Sequence, residues 1–335
     1  MSEACHHHYV PVFYQRRFLN RNGLLWVYDR RLRTLKELPP RSICSKKDLY
    51  TLKRENAPSE RRIETVALSL VDTFGAKAVR EVLNGRFTET TISNLSYFIG
   101  VQFSRLPSMA RAIGAMYVAG ANEMWRLMAA NVGRMQSVLD RYTRDTGEAV
   151  NVSAESMVEA VRGGHVELVP TQVPFLRHLF SLGDDICEVI RQLDWQVLSA
   201  PLGTGFIICD SPVTVVPPRG GNLVGFGVWG AVKYFPLSYG ICLRFGNRGH
   251  SIKRRTVSKE TVTTINRNIA ANSERFIMGP DKAQLVSIVK RSNSEHEDKT
   301  ARFNVDTIDQ DDSGSTQKMT FQYRRYFYCE DGRTP

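Results

Sequence analysis

Several familiar signatures are missing from this 335-residue chain, and each absence removes a class of protein. No apolar run approaches the ~20 residues that a membrane-spanning helix needs. The most apolar helical stretch, AIGAMYVAGANEMW (112–125), follows Arg111 and contains Glu123. The six cysteines, at positions 5, 44, 187, 209, 242 and 329, form no CxxC pair and share no regular spacing. The first residues are polar and His-rich rather than basic and then apolar, so the expectation is free thiols in a reducing cytoplasm and no membrane partner. GxxxxGK[ST], GxGxxG and HExxH are absent as well, and the glycine-rich GGNLVGFGVWG (220–230) lacks the Lys-Ser/Thr ending of a phosphate-binding loop. Nucleotide motors, dehydrogenases and zinc proteases are thereby excluded. No internal repeat and no long linker divides the chain.

What is present is ordinary globular material with an excess of positive charge. Hydrophobic residues make up 42% and charged residues 24%, enough for a real core, while the net charge is +11 and the pI about 9.5. Such a field attracts nucleic acid, an anionic membrane surface or acidic small molecules alike. It is unevenly placed. Residues 1–62 carry 14 basic against 6 acidic side chains, a net of +8, whereas residues 292–335 carry 6 against 9.

LLWVYD (24–29) and RTLKEL (33–38) alternate about a polar turn and read as a β-hairpin. Apolar residues then recur at three and four from Ile63 through Ala67, Leu70, Val71, Phe74, Ala78 and Val82, predicting an amphipathic helix that ends before Gly85. Further helices are expected over about 90–106, 108–146, 154–162 and 173–193. From Trp195 the texture changes to short β-branched or aromatic runs broken by Gly and Pro: WQVLSA, GFIICD, VTVV, NLVGFGV, VKYFPL and GICLRFG. A helix over 258–274, KAQLVSIVK, and the strand-like ARFNVD and MTFQYRRYFY follow, the last two separated by the polar loop DQDDSGSTQ. The reading is α+β: a long helical middle region (about 58–193) packed against a mainly C-terminal, mostly antiparallel sheet (about 195–290) that recruits the N-terminal motif and hairpin. One domain over 1–290 and a C-terminal extension over 291–335 are expected.

The stretch HHHYVPVFYQRRFLNRNG (6–23) invites a functional reading. Pro11 biases Val10 to an extended backbone and suits the first position of a short helix over 12–20, so the histidines stand just ahead of a helix N-terminus. Unpaired N–H groups there favour an anion such as a phosphate, with Arg16 and Arg17 adding charge one turn on. Plainer explanations compete. Adjacent histidines on an extended chain face opposite ways, so all three do not readily share one metal, and a buried histidine bonded to backbone is as good an account of any one of them.

HHYVPVFYQRRF (7–18) also resembles the opening of a bacterial family of unknown function whose members begin close to HHYVPxFYLRRF. Further similarities follow in order: KDLYTL (47–52), FIGVQFSRLPSMA (98–110), WQVLSAPLGTGFIICDSPVTVV (195–216), FPLSYG (235–240) and TINRNIAANSERFIM (264–278). The resemblance departs at Ile208-Cys209, where Thr-Ser is usual, at Ser211 in place of Asn and at Tyr239 in place of Pro. Some members of that family are associated with defence against phage, which implies a defence effector, with a phage-derived trigger as a further partner.

The residues carrying the resemblance are His7, His8, Gln102, Arg105, Trp195, Asp210 and Asn266, a polar set where a core alone would call for apolar ones. Asp210 either caps the Ser211-Pro212 turn or offers a carboxylate at a strand end. Arg105 either satisfies the last carbonyls of its helix or clamps a phosphate, and Gln102, one turn earlier, points the same way. Trp195 is core or a stacking platform. Arg254 and Arg255 lie in the basic stretch FGNRGHSIKRRTVSKET (245–261), a solvated loop or a track for a phosphate backbone, and Trp26 and Tyr28 beside Arg30 and Arg31 offer a weaker version of the same pattern. The leading expectation is a defence effector acting on nucleic acid, a nuclease with RNA favoured, in which His7 or His8 moves a proton, Arg105 stabilises charge and Asp210 orients a histidine. Histidine and arginine without a carboxylate cluster point to metal-free chemistry, although one Asp with two His would equally hold a divalent ion. The competing expectations are a non-catalytic sensor and an enzyme acting on a small phosphorylated molecule.

Overall fold

The computed structural model describes residues 6–54, 57–60, 62–166, 168–169, 171–218, 225–292, 302–307 and 317–322. The chain begins with β1 (His6–His8), α1 (Val12–Gln15), a 3-10 turn through Phe18, the hairpin β2 (Leu25–Asp29) and β3 (Thr34–Leu38), and β4 (Ser45–Lys47), β5 (Leu52–Arg54) and β6 (Ala57–Glu60). A π-helical turn, Ile63–Leu68, leads into α2 (Ser69–Leu83), α3 (Glu89–Ser104), α4 (Pro107–Ala129), α5 (Val132–Thr146), α6 (Ala154–Arg162) and α7 (Val173–Arg191). Then come β7 (Leu193–Ser199), β8 (Ile208–Cys209), β9 (Thr214–Val216), β10 (Val232–Ser238), β11 (Ile241–Arg248) and β12 (Ile252–Thr256). The described chain closes with α8 (Lys259–Asn272), β13 (Phe276–Gly279), α9 (Lys282–Ser292), β14 (Arg302–Thr307) and β15 (Gln317–Gln322). The fold is α+β, with its sheets mostly in the C-terminal half.

Two sheets form the frame. One has the order β12-β7-β11-β10-β9, antiparallel except for the parallel pair β12–β7; the other has the order β3-β2-β13-β8. The N-terminal hairpin therefore joins a C-terminal strand, with Trp26 opposite Gly279 and Asp29 opposite Phe276. Strand β10 shows why both faces bury side chains, since successive residues point opposite ways. Tyr234 faces a core of Leu198, Phe206, Ile265, Ile269 and Leu285. Phe235 turns the other way, stacking on Tyr14 at 5.1 Å and meeting the edge of Phe98 at 6.1 Å. Tyr14 Oη donates to the Pro236 carbonyl at 2.7 Å, which fixes α1 to this face.

The molecule comprises two compact units. The first takes the described residues up to Met109 and from Leu176 to Ser292; the second takes Ala110–Phe175 with β14 and β15. Within the first unit α3 and α7 come together at glycines, where a Cβ on Gly100 would overlap the Gly183 carbonyl, and Ser104 Oγ donates to the Leu179 carbonyl at 2.7 Å. The second unit has its own core of Ala129, Met135, Leu139, Ala154 and Val158.

Three expectations need correction. The single helix expected over 108–146 is two helices, because Asn131 takes an extended backbone and its Oδ1 accepts the N–H groups of Gly133 and Arg134 as an N-cap. Arg162 covers the broken end, donating to the Ala129 and Ala130 carbonyls. On α2 the expected core positions Leu70 and Phe74 are half exposed, while Gly75 takes the inward place against the Phe98 ring. The stretch expected as a strand at NLVGFGV (222–228) is turn and bend from Gly225 onward, and its residues 222–224 lie outside the described residues. DQDDSGSTQ (309–317) and the end of MTFQYRRYFY lie largely outside them too.

Candidate functional site

The opening motif behaves as its backbone chemistry dictates. β1 pairs antiparallel with β4, so its side chains alternate: His6 is exposed, His7 is buried and His8 is half-buried. His8 Nε2 lies 3.1 Å from the Arg41 carbonyl. Pro11, at φ −60° and ψ 141°, starts a single helical turn whose first amides, those of Tyr14 and Gln15, return to its carbonyl. Gln15 Nε2 donates back to the Val10 carbonyl at 2.8 Å, closing the motif on itself. Arg16 is exposed, while Arg17 is half-buried, and burial followed by the nearby Arg80 charge lowers its pKa.

His7 leads into a buried polar cluster. Its ring stacks parallel on Tyr50, and its Nδ1 accepts the Tyr50 backbone N–H at 2.9 Å. Glu64 Oε2 lies 3.1 Å from the same Nδ1, and that oxygen accepts no N–H or O–H among the described residues. An amide proton aimed at Nδ1 requires a lone pair there, so the Glu64 contact is favourable when the carboxyl carries the proton. Burial pushes the Glu64 pKa up to about 7, with Arg105 opposing and Asp72 reinforcing the shift. Glu64 sits in the π-helical turn, where the Ser69 N–H reaches back five residues to its carbonyl. Such turns recur at functional positions.

Behind Glu64 is Arg105. Its Nη1 donates to Asp72 Oδ1 at 2.8 Å, and its Nε and Nη2 both donate to Gln102 Oε1, the former at 2.9 Å. Gln102 Nε2 in turn donates to the Tyr9 carbonyl, and Tyr50 Oη donates to the Arg105 carbonyl at 2.8 Å. Both the expected neighbours Gln102 and Arg105 are thus in the cluster, but the guanidinium is held by Asp72 and Gln102 rather than turned outward. His7 and Arg105 are each 1% exposed, whereas the Glu64 and Asp72 side chains are 29% and 30% exposed. Solvent therefore meets the cluster at its carboxylates.

The other expected residues do different work. Asp210 Oδ1 and Oδ2 accept the Glu274 and Arg275 amides at 2.9 and 2.7 Å, tying β8 to the start of β13. Burial and then Glu274 push its pKa up to about 6 against the pull of those amides. Both its oxygens are thus engaged by backbone amides, and no group of three or more His, Cys, Asp or Glu among the described residues is gathered as a metal site. Trp195 is core: its Nε1 donates to the Ile190 carbonyl and its ring meets Phe245 edge-on at 5.0 Å. Asn266 bridges backbone, accepting from the Ile207 N–H and donating to the Gly205 carbonyl. Arg254 crosses to α2, where Nη2 donates to the Val82 carbonyl and the guanidinium lies 5.4 Å from the Phe87 ring centre, while Arg255 is exposed on the edge strand β12.

Sequence reasoning missed Glu64, Asp72 and Tyr50. Tyr50 lies in KDLYTL, a segment the resemblance had singled out; Glu64 and Asp72 carried no signal beyond being acidic residues in a stretch of helical periodicity. It also missed Lys233, buried on β10 with Nζ donating to the Ala231 carbonyl at 2.9 Å and its pKa lowered by burial to about 8.

Comparison with known proteins adds one relationship. A family model described as "Protein of unknown function (DUF4238)" matches residues 6–283. No curated protein matches, and no solved structure does.

Proposed function

We propose, for a chain that belongs to the DUF4238 family of unknown function, that it is a hydrolase of phosphodiester bonds in nucleic acid, RNA favoured, working through the Glu64–His7 pair. The observation that carries this reading is a carboxyl at the solvent side of a buried polar cluster, 3.1 Å from a histidine nitrogen and poised near pH 7. A group whose pKa lies near the working pH is suited to both halves of proton transfer. As carboxylate, Glu64 takes the proton of an attacking 2′-hydroxyl while its oxygen bonds to phosphorus. As acid, it returns that proton to the 5′-oxygen as the old P–O bond breaks, leaving a 2′,3′-cyclic phosphate that water opens as Glu64 takes the water's proton and returns it to the departing 2′-oxygen. His7, too buried to touch substrate, positions Glu64 and steadies the acid form; Arg105 tempers the pKa from behind. The net charge of +11 supports a polyanionic substrate. A role in defence against phage rests on the family resemblance.

A second reading is a non-catalytic sensor, favoured by the burial of His7 and Arg105, since groups so enclosed also serve simply to specify a fold. Cleavage separates the two. Purified protein is incubated with labelled tRNA, single-stranded RNA, single-stranded DNA and duplex DNA, in magnesium or in EDTA, beside Glu64→Gln of matched thermal stability. Hydrolysis of RNA that falls by about 10²-fold or more in the variant supports the enzyme. Absence of cleavage with every substrate, or equal cleavage by Glu64→Gln, overturns it.

A further inference from the structure

The end of the five-stranded sheet at which β10 and β12 begin carries features that the acid–base cluster does not use. Trp229 is 75% exposed, on a turn just before β10. That turn is fixed in place: the Gly230 N–H donates to Asn247 Oδ1 on β11 at 3.0 Å, and Gly230 itself needs its φ of +76°. An indole this exposed on an anchored turn is unusual, because a side chain this large is normally buried over most of its surface.

Cations lie along the same end of the sheet by topology. β11 ends at Arg248, opposite Leu193 at the start of β7, and β12 begins at Ile252, opposite Trp195. Arg248, His250 and Lys253 are all exposed, at the same end of the sheet as Trp229. The acidic group among them, Asp194, accepts the Ser251 N–H and Oγ at its Oδ1 and stays ionised beside Lys253 and His250, leaving the cations in excess at this end. Arg191, at the end of α7, is shared between Glu89 and Glu188 at 3.8 and 3.9 Å. From β10 across β11 and β7 to β12 is three strand spacings, roughly 14 Å. A stacked single strand rises about 3.4 Å per nucleotide, so about four nucleotides span that edge.

We infer that this sheet end is a binding platform for single-stranded nucleic acid, with Trp229 stacking on an unpaired base and Arg248, His250 and Lys253 contacting successive phosphates. Every base presents a π-face and every nucleotide a phosphate, so the platform recognises the class of polymer rather than a sequence. The inference deepens the proposed nuclease reading and rests on it for the identity of the ligand.

The test uses the full chain and a short fluorescein-labelled oligothymidylate, which lacks the 2′-hydroxyl and is not consumed by the proposed reaction. Binding is followed by anisotropy over a salt series for the wild type, Trp229→Ala, Trp229→Phe and Arg248→Ala/Lys253→Ala, with thermal melting to confirm that each is folded. Trp229→Ala weakens binding about tenfold or more and Trp229→Phe recovers most of it, as stacking requires. Arg248→Ala/Lys253→Ala flattens the salt dependence by about 1.4 in logarithmic slope. Equal affinity of wild type and Trp229→Ala overturns the platform and, if RNA is still cleaved, leaves the nuclease reading standing. A wild type that neither binds nor cleaves overturns both. Retention on anionic lipid vesicles that is lost in Trp229→Ala, without oligonucleotide binding, reassigns the surface to a membrane and likewise overturns the inference.

Discussion

The rings of His7 and Tyr50 lie parallel, 3° apart in plane and 5.5 Å between centroids, while the Tyr50 amide donates to Nδ1 of the ring it stacks on. One residue thereby sets both the orientation and the tautomer of the histidine. With Nδ1 committed as an acceptor, the proton of the neutral ring resides on Nε2. The neighbouring carboxyl therefore faces a nitrogen that carries no proton, and burial, reinforced by Asp72, favours the neutral form of Glu64.

That arrangement makes stability depend on pH. The folded pKa of Glu64, about 7, lies above its ordinary 4.5, so the folded state binds the proton more tightly. Its contribution is fully present below about pH 4.5 and is lost as the pH rises through 7. Glu64→Gln keeps a neutral side chain of the same shape. Thermal melting is expected to show the variant gaining on the wild type at pH 8 and losing that advantage at pH 4.5; a constant difference across the range refutes the assignment.

Activity should carry the same signature. Asp72 raises the Glu64 pKa and Arg105 lowers it. Asp72→Asn is therefore expected to shift the Glu64 limb of the pH–rate profile to lower pH, and Arg105→Gln to higher pH. Profiles that coincide with the wild type show that neither charge reaches the reacting group.

Asp210 predicts an effect on stability before any on chemistry. Its two oxygens satisfy two backbone amides, and Asp210→Ala strips both partners at once. Each orphaned donor costs about 1–3 kcal/mol. Urea unfolding is expected to show a loss in that range or above. A variant of undiminished stability that has lost activity would instead return Asp210 to the chemistry.

Lys233 works with the opposite sign. Its folded pKa of about 8 lies below the ordinary 10.5, so its contribution is present above about pH 10.5 and is lost as the pH falls through 8. Lys233→Met fills similar space without charge and is expected to melt higher than the wild type at pH 7, with the gap narrowing towards pH 10. A melting temperature lowered by the substitution would show that the ammonium is valued for more than the Ala231 carbonyl.

Gly100→Ala tests the helix crossing. The added methyl meets the Gly183 carbonyl, and backbone yields less readily than a side-chain tip. A loss of about 1–3 kcal/mol is expected from such overpacking, read as a lowered urea midpoint. Gly120→Ala, where nothing lies within 4 Å of the new methyl, is the control that should lose nothing.

Periodicity made much of the fold legible. The helices and most of the strands stand within a few residues of where alternation and three-four spacing put them, because each buries one face against a neighbour. The reading failed where a local polar group competed with the helix, as Asn131 does, or where a close approach such as Phe98 on Gly75 decided which side faced inward. The site was legible only in part. His7, Gln102 and Arg105 lie in distinctive segments, and the i to i+3 spacing of the last two gave their contact directly. Glu64 and Asp72 reach the cluster through tertiary packing that no spacing encodes.

Because Ser104 and Leu179 are hydrogen-bonded and Gly100 lies against Gly183, the chain returns through α7 to the place it left through α3. The segment between them therefore leaves and returns at neighbouring points, held there by the crossing of two helices. Segments of that kind exchange with little disturbance to their host. A change of length within that segment leaves unaltered the approach of Ser104 to Leu179, which the helix crossing sets.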